Sequence, residues 1–126
     1  MSQGRGCAGQ AAVAIAALLM CLLVYVDGAA YTVGDSGGWS FNAGSWAKGK
    51  RFRAGDTLIF NYDSTIHNVV AVNKASYDSC ATPAGANVNV YSSGKDRVKL
   101  VKGQNFFICG SAGHCQSGMK IAINAA

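Results

Sequence analysis

Toward the end of a 126-residue chain, Cys109, His114 and Met119 fall on a Gly-rich stretch with the spacing C-x4-H-x4-M. The chain has two histidines, and the second, His67, opens a run rich in β-branched residues. Two imidazoles, one thiolate and one thioether are the donor set of a blue-copper site, a trigonal N2S arrangement with a weak axial sulfur. Thiolate and thioether favour Cu(I), whereas imidazole serves both oxidation states. Gly110, Gly113 and Gly118 allow a short loop to bring three of these donors to one ion without Cβ clashes. A Cys–His hydrolase is the weaker reading, because it leaves the Met119 spacing unexplained.

The cysteine count points the same way. Cys7 and Cys21 lie in an N-terminal segment that reads as a secretory leader: Arg5, an apolar run over residues 11–26, then Asp27 and the small residues Gly28, Ala29 and Ala30. The expectation is a leader of residues 1–30, cut near Ala30, and one domain over residues 31–126. Three cysteines then remain in an oxidising compartment, an odd number. If Cys109 holds a metal, Cys80 and Cys115 are left to pair, closing a loop that stabilises the fold by roughly 4 kcal/mol in the chain-entropy model. Pairing of Cys109 with Cys80 or Cys115 is the competing arrangement, and it would destroy the site.

These donors need a rigid frame, and the pattern around them is that of short strands. Residues 57–62, 67–72, 87–91, 97–101, 104–108 and 119–123 alternate or run apolar between turn signals. Helix is confined to short pieces near residues 44–48 and 73–79. The expected fold is all-β, an antiparallel sandwich or barrel. The 16 glycines, the complete absence of Glu and a charged fraction of 13% exclude a helical bundle, a coiled coil and a disordered charged tail.

Net charge is +5, and it stays +5 when Arg5 and Asp27 leave with the leader. Acidic partners suit that balance. Nucleic acid does not suit a secreted chain. The tail Ile123-Asn124-Ala125-Ala126 lacks the apolar run of a lipid-anchor signal, so no membrane anchor is expected. The expectation is therefore a small secreted, extracellular monomer with a redox partner the residues do not name.

The same residues, with Tyr31-Thr32-Val33-Gly34-Asp35, Gly38-Trp39, Trp46-Ala47-Lys48-Gly49-Lys50, Gly55-Asp56-Thr57-Leu58, His67-Asn68-Val69, Ser93-Gly94-Lys95-Asp96 and Phe107-Ile108-Cys109-Gly110, resemble the phytocyanins, plant cupredoxins, and among them the plantacyanin subfamily. The resemblance covers essentially all of residues 31–124. It implies a cupredoxin-like Greek-key β-sandwich of two sheets, one type 1 copper held by His67, Cys109, His114 and Met119, and a Cys80–Cys115 disulfide. By analogy the backbone N–H of Asn68 donates to the Cys109 sulfur and its side chain ties two loops together. The implied function is single-electron transfer by a non-enzyme. The plant resemblance implies the apoplast or cell wall as its place and acidic wall polysaccharide as a partner. The alternative is an extracellular signalling or wall-interaction protein of reproductive tissue, as in pollen-tube guidance, whose copper is structural.

Overall fold

A computed structural model describes residues 28–85 and 88–126; residues 1–27 of the expected leader lie outside the described residues. Seven strands follow in chain order: β1 Ala30–Thr32, β2 Thr57–Asn61, β3 Val69–Val72, β4 Asn89–Tyr91, β5 Lys95–Lys99, β6 Gly103–Ile108 and β7 Lys120–Ala125. Among the described residues, two short helices, α1 (Ala43–Trp46) and α2 (Lys74–Ser79), and one 3-10 turn at Asp35–Gly37 accompany the strands. The strands form a three-stranded sheet, β1-β2-β5, and a four-stranded sheet, β4-β3-β6-β7. Every pairing is antiparallel except β1 with β2.

Alternation explains how the sheets close on each other. In β7 Ile121, Ile123 and Ala125 are buried, whereas Ala122 and Asn124 are exposed. Leu58 and Phe60 of β2 and Val98 of β5 supply the opposing face. The sheets meet through Phe60 and Phe107, whose ring centroids are 5.3 Å apart, and Trp39 packs edge-on to Phe60 at 5.1 Å. Each wholly buried Leu, Ile or Phe side chain contributes about 1.5–3 kcal/mol.

β3 breaks the alternation, since Val69 and Val70 are both buried. The four-stranded sheet is covered on both faces: Val69 joins the central core, while Val70 and Ile108 pack with Cys115 under Tyr77 and Cys80. α2 supplies that outer cover. Asn73 caps it by accepting the Ser76 N–H at 2.9 Å, and it ends at Cys80 in a left-handed conformation, φ 58°. Cys80 is bonded to Cys115, the pairing the resemblance implied.

Strand bounds shift against the sequence pattern: β2 ends at Asn61, β3 begins at Val69, β4 begins at Asn89 (residue 87 lies outside the described residues), β6 begins at Gly103 and β7 runs Lys120–Ala125. β1 was hidden because its three residues abut the leader, and β5 begins at Lys95 rather than Arg97 because Asn61 pairs with Lys95.

Candidate metal centre

β3 and β6 are neighbours with Val70 opposite Ile108, so the residues just before β3 and just after β6 lie side by side. This brings His67 and Cys109 together although 42 positions separate them. His67 was expected to begin a strand. It stands instead on a turn two residues ahead of β3, because the Asp63 carbonyl accepts the N–H groups of Ile66 at 3.1 Å and His67 at 3.0 Å. The Asp63 carboxylate accepts the N–H and O–H of Thr65, which hold its carboxyl below the usual carboxylate range.

The β6–β7 connection carries the other donors. Successive turns fold it: the His114 N–H donates to Ser111 O at 3.1 Å, and the Gly118 N–H to Cys115 O at 2.9 Å. Gly113 and Gly118 take φ of 79° and 103°, which other residues rarely adopt. The Met119 N–H donates to His114 O, and the Cys109 N–H to Met119 O, both at 3.0 Å. The loop is thereby closed on itself, with Cys109 and Met119 buried and both imidazoles half-buried.

The donor atoms converge. His67 Nδ1 and His114 Nδ1 are 3.1 Å apart, and Cys109 Sγ lies 3.7 Å from the first and 3.5 Å from the second. A triangle with these sides has its centre about 2 Å from each corner, the length of a bond from a transition metal to imidazole nitrogen or thiolate. Among the described residues Cys109 is the free cysteine, and its sulfur meets these two ring nitrogens rather than another thiol. Burial pushes the His67 imidazole below its ordinary pKa and the nearby His114 adds to this, against Asp63. A neutral ring keeps the lone pair that a metal needs. The residues present fit a soft, borderline divalent or monovalent ion such as copper.

Asn68 ties the turn to the loop on one side and to Trp39 on the other. Asn68 Oδ1 accepts the Gly110 N–H at 2.6 Å, and the buried Trp39 donates its indole N–H to Asn68 O at 2.8 Å. A Cβ at Gly110 would come within 3.1 Å of Asn68 Oδ1 and 3.2 Å of Val70 Cγ2, so glycine lets the segments approach. Ser111 adds a second link between loop and turn by donating its hydroxyl to Ile66 O at 2.7 Å.

Sequence reasoning missed Phe41. Its ring stands edge-on to both imidazoles, at 6.1 Å from His67 and 5.2 Å from His114. No motif marks it, because the contact depends on where residues 38–42 cross the top of the sandwich. The role of Asp63 was legible in principle from the turn-forming run Asp63-Ser64-Thr65.

A family model described as a plastocyanin-like domain matches residues 39–119. The basic blue protein of Arabidopsis thaliana is 55% identical over 130 residues, covering 99% of each chain. The basic blue protein of Cucumis sativus is 64% identical over 97 residues, 77% of this chain and 99% of that one. The solved structure of cucumber basic protein, a blue copper protein, superposes with a TM-score of 0.74 at 62% identity, over 78% of this chain and 100% of that one.

Proposed function

The chain belongs to the plastocyanin-like family, in the basic blue protein branch of the phytocyanins, and from that premise we propose how its own residues serve a type 1 copper electron carrier. Copper, when bound, supplies a one-electron Cu(II)/Cu(I) couple. We assign its binding to His67, Cys109, His114 and Met119. The observation that carries this is the convergence of two Nδ1 atoms and one buried thiol sulfur within 4.8 Å of one another.

Each residue has a distinct task. Cys109, deep in the core, offers a thiolate that solvent and other thiols do not reach. His67 and His114 turn Nδ1 inward, which leaves the opposite edge of each half-buried ring toward the surface and toward a redox partner. Met119, held by its backbone bonds to Cys109 and His114, offers a weak thioether that favours the reduced state. The Asn68–Gly110 bond and the disulfide hold the donors where they are in either oxidation state, so little has to move on electron transfer. A bound ion would already draw on His67, Cys109, His114 and Met119, a donor set that does not call for a substrate, and the reading is a carrier rather than an enzyme.

Among the described residues no helix is long and apolar enough to cross a membrane. We read residues 1–30 as a leader removed on secretion. Ala30 already pairs with Thr57, and the Ala29 N–H donates to Asp56 Oδ1 at 2.9 Å, so the cut falls at the margin of the first sheet.

Adding Cu(II) to the purified protein tests the assignment. An intense visible thiolate-to-copper band that disappears in Cys109→Ser is the expected result, and a wild type that stays colourless overturns it. If His114→Ala abolishes redox cycling while leaving an effect on tissue intact, the biological role is signalling rather than electron transfer.

A further inference from the structure

β5 reads Lys95-Asp96-Arg97-Val98-Lys99, a mixed-charge string whose charges the pleat separates. Asp96 and Val98 are buried, and Lys95, Arg97 and Lys99 are exposed. Asp96 is taken up inside, accepting from the Tyr62 hydroxyl and from the Ser93 hydroxyl at 2.6 Å. The three cations thus share one face of the first sheet, in a straight row about 6.8 Å from one to the next. Among the described residues the ion pair is Lys74–Asp78, so none of the three is neutralised by a carboxylate.

Two of the three neighbours across the ladder, Thr57 and Asn61, carry side chains that can hydrogen-bond hydroxyl groups. Thr57 lies opposite Lys99, Ile59 opposite Arg97 and Asn61 opposite Lys95. The donor loops lie elsewhere, beyond β3 and β6 of the other sheet.

We propose that this face binds a linear carboxylated polysaccharide, with Lys95, Arg97 and Lys99 each meeting a carboxylate along an extended chain and Thr57 and Asn61 meeting hydroxyls. An extended polyanion matches a row of unpaired like charges along one strand, whereas a compact acidic protein would need a cluster of apolar anchors and this row has Ile59 alone beside it. Binding here does not depend on the metal, so its test is separable from that of the copper assignment.

Titration of the copper-loaded protein with sodium polygalacturonate tests the proposal. Two charge-matched variants are compared, Lys95→Gln/Arg97→Gln/Lys99→Gln on β5 and Lys48→Gln/Lys50→Gln/Arg51→Gln elsewhere. The β5 variant should bind at least tenfold more weakly and the other less than about threefold. The dependence of log affinity on log salt should flatten by about two to three for the β5 variant, as three fewer counterions are displaced. Fully methyl-esterified polymer should not bind. An unchanged blue band and melting temperature show that each variant is folded. Equal losses in the two variants would overturn the proposal in favour of net charge alone. Absence of binding by wild type, or tighter binding to phosphatidylserine vesicles through the same residues, would overturn it as well.

Discussion

The Phe41 ring meets the His114 imidazole edge-to-face, with centroids 5.2 Å apart and planes at 66°, while itself remaining 42% exposed. It forms an apolar brim beside the two rings. Removing it in Phe41→Ala admits water to the imidazoles and frees the His114 ring. An apolar surround disfavours the more highly charged oxidation state, so the variant should have a lower reduction potential. The lost aromatic contact should also cost about 1 kcal/mol of stability. Voltammetry together with urea unfolding checks both, and Phe41→Leu should retain most of the potential because it keeps the apolar cover.

Asn68 joins the turn before β3 to the residue after Cys109 through a single 2.6 Å hydrogen bond to the Gly110 N–H. Asn68→Ala leaves that N–H without its partner, at a cost of about 1 kcal/mol. Asn68→Asp keeps an acceptor oxygen and should recover most of the loss. Urea unfolding of the copper-free protein measures this without reference to the metal. If the Ala variant is as stable as wild type, the bond does not hold the two segments together.

How much of this was legible follows from the range of each signal. The C-x4-H-x4-M spacing is local, as is the alternation of β7, and both appear in the structure, with β7 displaced to Lys120–Ala125 from the expected 119–123. Convergence of His67 with that loop needs β3 beside β6, a pairing that local alternation does not encode. The run Val69-Val70 reads as ambiguous because a sheet covered on both faces loses its period of two. Phe41 sits against the histidines only through tertiary arrangement.

The disulfide ties the end of α2 to the residue that directly follows His114. Replacing both partners, Cys80→Ser/Cys115→Ser, frees 35 positions of chain in the unfolded state. The chain-entropy model gives a loss of about 4 kcal/mol. Because Cys115 is also buried under Val70 and Ile108, the variant should in addition bind copper more weakly, as the loop carrying His114 loses its anchor. Equilibrium unfolding of the copper-free variant and a competitive chelator titration measure the two effects separately.

Tyr62 gives the fold an alkaline limit. Burial, then its hydrogen bond to the Asp96 carboxylate, pushes the phenol from 10.0 up to about 12. The folded state therefore holds the phenolic proton over a range in which the unfolded chain has released it. The resulting stabilisation is fully present below pH 10 and is lost as pH rises through about 12, since the slope of stability is negative wherever the native state binds more protons. Tyr62→Phe has no such proton and also leaves Asp96 without that donor. The variant should be less stable than wild type by a constant amount below pH 10, and the gap should narrow toward pH 12. Urea midpoints of the two copper-free proteins across this interval cancel the common background of lysine titration. A gap that stays constant to pH 12 would mean that the phenol ionises at its ordinary pKa and that the Asp96 bond adds nothing to the alkaline stability of the sandwich.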